Sequence, residues 1–136
     1  EEIATYGKNI TFDDAIQNFF KRSVEKGSYD YFSGILEVEK RMKEYRMIYG
    51  NLIRDIFLMD KEGHAIETVN TYGDLSDIPP FEKMIRQDIS GYTTRFVWNY
   101  QGVIGEKNTV AYVNSIYDKN SILSEMGKLV ILLDIG

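Results

Sequence analysis

Two apolar, β-branched-rich runs close this chain: Thr109 to Asp118 (TVAYVNSIYD) and Lys128 to Gly136 (KLVILLDIG), with nine mostly polar residues between them. Runs of this length and composition read as strands, and a pair around a polar break reads as the last hairpin of an antiparallel sheet. A long amphipathic helix is expected ahead of them. Ile35, Val38, Met42, Tyr45, Tyr49 and Leu52 recur at 3-4-3-4-3 spacing, with Glu37, Glu39, Lys40, Arg41, Lys43, Glu44 and Arg46 on the opposite face. The stripe is as narrow as a coiled-coil seam. It fits packing on the domain's own sheet, and it also fits partial pairing with the same helix of a second subunit. Helix first and sheet last, with no reaction chemistry between, is the build of a sensing module.

The remaining elements follow from caps and turns. Thr11-Phe-Asp-Asp14 resembles a capping box, and Ala15, Ile16, Phe19, Phe20 and Val24 then share a helical face that Gly27 is placed to end. Ser28 is the expected cap of the long helix. Ile53 to Met59 reads as a strand, Asp60 to Gly63 as a hairpin turn, and Ala65 to Val69 as the returning strand. A polar loop from Asn70 leads to a short helix, capped at Ser76 or Asp77 and closed by Gly91. Tyr92 to Gln101 reads as a third strand, and Ser121 to Met126 as a helical turn before the last one. The expected fold class is therefore α+β: a PAS-like five-stranded antiparallel sheet with a long N-terminal helix and a short helix between strands 2 and 3. Residues 11–52 supply the helices and residues 53–136 the sheet core of one domain.

Composition narrows the function. At 136 residues and 43% hydrophobic content the chain can bury a core. A net charge of −5 argues against nucleic acid and against an anionic membrane surface. The absence of cysteine excludes disulfides, thiolate catalysis and cysteine-based zinc sites. No apolar run reaches the ~20 residues of a membrane-spanning helix. The chain starts at Glu1-Glu2-Ile3 without Met and stops just after an apolar strand, so it reads as a piece of a longer protein.

Catalytic constellations are not visible. His64 is the one histidine and follows the glycine of a turn, so neither a metal site nor a serine-hydrolase base is expected. Gly102 to Lys107 lacks the Gly-Lys-Ser/Thr ending of a phosphate loop and is followed by a strand. No cofactor is expected. The third and fourth strands carry the candidate binding surface. Alternation places Trp98 and Tyr100 on one face and Tyr112 and Asn114 on a corresponding face. Together they can line a concave surface closed over by the segment from Tyr72 to Ile89, which includes Phe81. Ring faces with a few polar tips suit a sugar or organic acid. The same rings also fit plain packing against a helix.

At these residues the chain resembles Cache domains, the extracytoplasmic PAS-like sensors. Ile56 to Gly63 (IFLMDKEG) looks like their first strand and turn. Ala111 to Asp118 (AYVNSIYD) with Met126 to Asp134 (MGKLVILLD) is similar to their closing hairpin. The resemblance covers roughly residues 29–136 and is strongest to ligand-sensing ectodomains of Gram-positive membrane histidine kinases responsive to carbohydrates or nutrients. It implies a sensor domain on the extracellular face of the membrane, not itself an enzyme, dimeric in the full-length receptor, with a small-molecule ligand or a solute-binding protein as partner. It adds Tyr117 and Asp118 to the pocket candidates. Where amino-acid sensors of the family carry an Arg-x-Trp-Tyr box, this chain reads Ile78-Pro-Pro-Phe81. That departure favours a sugar or organic acid over an amino acid, with Arg95 or Arg86 as the substitute cation if a carboxylate is held. A chemotaxis-receptor ectodomain and a purely structural dimerisation module are the alternatives.

Overall fold

Helices come first and strands follow, as the periodicity requires. The computed structural model describes residues 2–22, 27–50, 53–66, 90–98 and 107–134. These form α1 (Glu2–Thr11), α2 (Asp14–Lys21), α3 (Tyr29–Tyr49), β1 (Ile53–Met59), β2 (Gly91–Tyr92), β3 (Phe96–Trp98), β4 (Lys107–Asp118) and β5 (Ser121–Asp134).

The long helix is α3. Ser28 caps it by accepting a hydrogen bond from the Tyr31 N–H at 3.2 Å. Its stripe residues Ile35, Val38, Met42 and Tyr45 are buried. They join Ile56 and Leu58 of β1 and Leu129 and Ile131 of β5 in one apolar cluster. The stripe thus packs on the domain's own sheet; Leu52, its last expected member, lies outside the described residues. Each aliphatic side chain buried this way contributes roughly 1.5–3 kcal/mol, which outweighs the weak intrinsic stability of a helix rich in charged residues.

Two corrections concern the segment before α3. An additional helix, α1, occupies residues 2–11, so Thr11 ends a helix instead of starting one. The cap of α2 is Asp13, whose Oδ1 accepts from the N–H groups of Ala15 at 2.9 Å and Ile16 at 3.3 Å. The helix also stops sooner than expected. Arg22 is already extended at φ −71°, ψ 130°, so Gly27 does not terminate it. Gly27 has φ +90° and instead turns the chain into the cap of α3.

The sheet runs β1-β5-β4-β2, with β3 also on β4, and every pairing is antiparallel. The hairpin after β1 forms at the expected turn. The Gly63 N–H reaches the Asp60 carbonyl at 3.2 Å, and Gly63 adopts φ +92°. The returning strand shows as a Met59–Ala65 bridge and an Ile66 N–H to Leu58 carbonyl bond of 2.9 Å. Residues 67–69 and the expected short helix lie outside the described residues. Among the described residues the strands do not follow the five-strand plan one for one. The expected third strand is split into β2 and β3. Between them Thr93 turns inward, its hydroxyl accepting from the Ala111 N–H at 3.0 Å and its own N–H donating to the Ala111 carbonyl at 2.8 Å. The helical turn expected over Ser121 to Met126 is strand: β5 begins at Ser121, directly after a tight turn at Lys119 and Asn120.

Candidate functional site

The two faces of the sheet have different covers. On one, Ile56, Leu58, Ile116, Leu129 and Ile131 pack beneath the helices. Tyr112 and Asn114 are on this face too. They lie so close to α1 that a Cβ built on Gly7 would stand 2.8 Å from Asn114 Nδ2 and 3.4 Å from Tyr112 Cε2. The Tyr112 ring also meets Tyr92 edge to face, with centroids 4.9 Å apart. This pair therefore packs against α1, a helix that periodicity did not announce.

Of the other expected residues, those described lie at separate places. Arg95 is exposed between β2 and β3. Trp98 ends β3, paired with Lys107. Tyr72, Phe81 and Tyr100 lie outside the described residues, as do Arg86 and the Gly102–Glu106 loop. Tyr117 and Asp118 end β4 beside α2. Gln17 Nε2 donates to the Tyr117 carbonyl at 2.8 Å, and Lys21 meets Asp118 at 3.1 Å. The Asn120 N–H, bonded to Asp118 Oδ1 at 2.9 Å, and Lys21 hold the Asp118 carboxyl below the ordinary carboxylate range. Asp118 thus closes the hairpin turn and docks a helix.

The far face carries the polar group that sequence reading passed over. Cross-strand pairs align Ala111 with Leu132, Val113 with Val130 and Ser115 with Lys128, while β1 places Phe57 beside Val130 and Met59 beside Lys128. All of these are buried, and Lys128 is 0% exposed. Its Nζ lies 2.6 Å from Glu125 Oε2 and 3.3 Å from Ser115 Oγ. The Ser115 hydroxyl lies 2.6 Å from the same Glu125 oxygen, and the Ser115 N–H donates to Ser90 Oγ at 3.0 Å. An ammonium buried at the centre of a sheet carries a large desolvation penalty, and a paired carboxylate offsets only part of it. Packing alone would favour an aliphatic residue here, so a buried pair flanked by hydroxyls calls for a reason beyond packing. The available signal was period-2 alternation: Lys128, Val130 and Leu132 share a face, and a charge on an otherwise apolar face invites the question of its partner.

The carboxylate–histidine cluster after β1 has a local explanation. Asp60, Glu62 and His64 bring potential ligand atoms within 4.8 Å of one another, but Asp60 Oδ1 already accepts from the Glu62 and His64 N–H groups at 2.9 and 3.0 Å, which is turn chemistry. A cleft of about 290 Å³ opens on the helix side between Phe19, Phe20, Tyr31, Ile66 and Met126.

No protein-family model matches the sequence, and neither does any curated protein. Two solved structures superpose on almost the whole chain. One is a domain of a sensory box/GGDEF family protein from Vibrio parahaemolyticus, with TM-score 0.73, 14% identity, 98% of this chain covered and 52% of that one. The other is the extracellular domain of the histidine kinase vpHK1S-Z8, with TM-score 0.68, 14% identity, 98% of this chain and 50% of that one. The fold is the one these sensor domains share. The chain spans about half the length of each. Among the described residues, no helix is long and apolar enough to cross a membrane.

Proposed function

We propose that this chain is an extracellular signal-sensing domain of a membrane histidine kinase, of the Cache kind, which binds a small organic acid or sugar on the sheet face turned away from its helices. The observation that carries this reading is Lys128: a fully buried cation, held by Glu125 and Ser115, on the sheet face opposite α1, α2 and α3. The likeness to a histidine-kinase extracellular domain supports the receptor class. The domain binds its signal and does not transform it. In the full receptor it works as a homodimer, with the outward residues Phe32, Leu36, Met47 and Ile48 of α3 available to a second copy.

A thermal-shift screen of organic acids, sugars and amino acids tests the reading, because a ligand that binds the native state raises its apparent stability by mass action. An acid or sugar is expected to raise the melting temperature. The paired substitution Lys128→Met with Glu125→Gln should abolish the shift while preserving the circular-dichroism spectrum. A hit that survives the paired substitution would move the site elsewhere, and a screen without hits would leave the sheet face a structural surface.

A further inference from the structure

The buried pair exists because the ladder beneath it is irregular. From Thr109–Asp134 to Ile116–Gly127 the β4–β5 register is even, but the next pair is Tyr117–Glu125, so Met126 is an extra residue on β5. In a regular strand Glu125, three residues from Lys128, would point to the opposite face. The bulge returns it to the face of Lys128 and Ser115, as bulges re-aim side chains. A slip of one residue would undo this and swing Glu125 away from Lys128.

The same rungs seat α2 from the other side of the sheet. Gly127 leaves room for Phe20: a Cβ there would stand 2.8 Å from Phe20 Cζ and 2.9 Å from the Met59 carbonyl oxygen. Buried Gln17 donates to the Tyr117 carbonyl at 2.8 Å and accepts from the Lys119 N–H at 3.1 Å. Asp14 pairs with Lys119, and Lys21 with Asp118. At its N-terminus α2 is also tied to α3, since Asp13 Oδ2 accepts from Arg41 Nε at 2.9 Å, Arg41 Nη2 at 2.6 Å and the Tyr45 hydroxyl at 2.6 Å.

We infer that the bulge at Tyr117–Glu125 is a two-position switch read by α2. An anionic ligand group that takes Lys128 from Glu125 releases the hairpin end from its bulged register, and Gln17 and Asp13 carry that change through α2 to α3. The inference rests on the sensor reading for its ligand, and it names the ligand's chemistry as an anion competing with a carboxylate. Coupling two sites requires an element that both can bias, and the inference assigns that part to the Lys128–Glu125 pair.

The test needs no ligand, so it separates this inference from the sensor reading. Amide hydrogen exchange of the 136-residue chain is measured with Lys128→Met plus Glu125→Gln, in otherwise wild-type protein and with Asp13→Asn. Asparagine still caps α2 but is neutral towards Arg41. The paired substitution should speed exchange in α2 and around Arg41 to Tyr45 of α3 by roughly tenfold. With Asp13→Asn the α2 response should persist and the additional α3 response should disappear. An α3 response of equal size in both backgrounds, or no response in α2, would overturn the inference.

Discussion

Asp13 and Arg41, 28 residues apart, are joined by two hydrogen bonds of 2.9 and 2.6 Å from the guanidinium to a single carboxylate oxygen. The other oxygen of Asp13 caps α2. One side chain therefore starts one helix and fastens it to another, and the Tyr45 hydroxyl completes the set.

Removing Arg41 leaves the Asp13 carboxylate, whose side chain is 6% exposed, without its counter-ion. Arg41→Ala is expected to destabilise the domain by about 1–3 kcal/mol, the cost of a buried charged group losing its partner. Tyr45→Phe should cost about 1 kcal/mol. Urea unfolding monitored by far-ultraviolet circular dichroism measures both.

The same network predicts a pH profile. Burial alone would raise the Asp13 carboxyl, but the hydrogen bonds from Arg41, Tyr45 and the Ile16 N–H overcome it and hold the group below its ordinary value. Its contribution is present above the unfolded carboxylate value of ~3.9 and is lost as pH falls through the folded one. Tyr45 shifts the other way: burial, then the bond to Asp13, push its phenol from 10.0 up to about 12. Its contribution is full below pH 10.0 and is lost as pH rises towards about 12. Stability against pH should show a shallower acid limb in Asp13→Asn and a shallower alkaline limb in Tyr45→Phe.

The buried pair predicts strong non-additivity. Lys128→Met alone leaves Glu125 without its ammonium and should cost about 3–5 kcal/mol, whereas adding Glu125→Gln should recover much of that loss. A double-mutant cycle from denaturant unfolding gives the coupling directly. Additive losses would mean that the two side chains do not depend on each other.

Gly127 predicts a packing defect. The methyl group of Gly127→Ala meets Phe20 Cζ and the Met59 carbonyl, neither with room to spare. The expected loss is about 1–3 kcal/mol. Adding Phe20→Leu should restore part of it but not all, because the Met59 carbonyl is backbone. Thermal melts of the single and double variants decide the matter.

The sequence by itself determined the elements whose pattern is local and long. The α3 stripe, the Ser28 cap, β1, the Asp60–Gly63 turn and the apolar parts of the last hairpin follow from periodicity and turn chemistry, which act over a few residues. Tertiary structure alone decided which face each strand presents to what. Tyr112 and Asn114 looked like pocket walls until α1, too polar and short to announce itself, covered them. Lys128 looked like the first residue of an apolar strand. Its partner three residues away reaches it only because Met126 bulges out of register, and a bulge is chosen by the neighbouring strand and by the helix packed behind it. Face assignment depends on contacts between residues far apart in the chain, and period-2 counting cannot see the one-residue shift that reverses it.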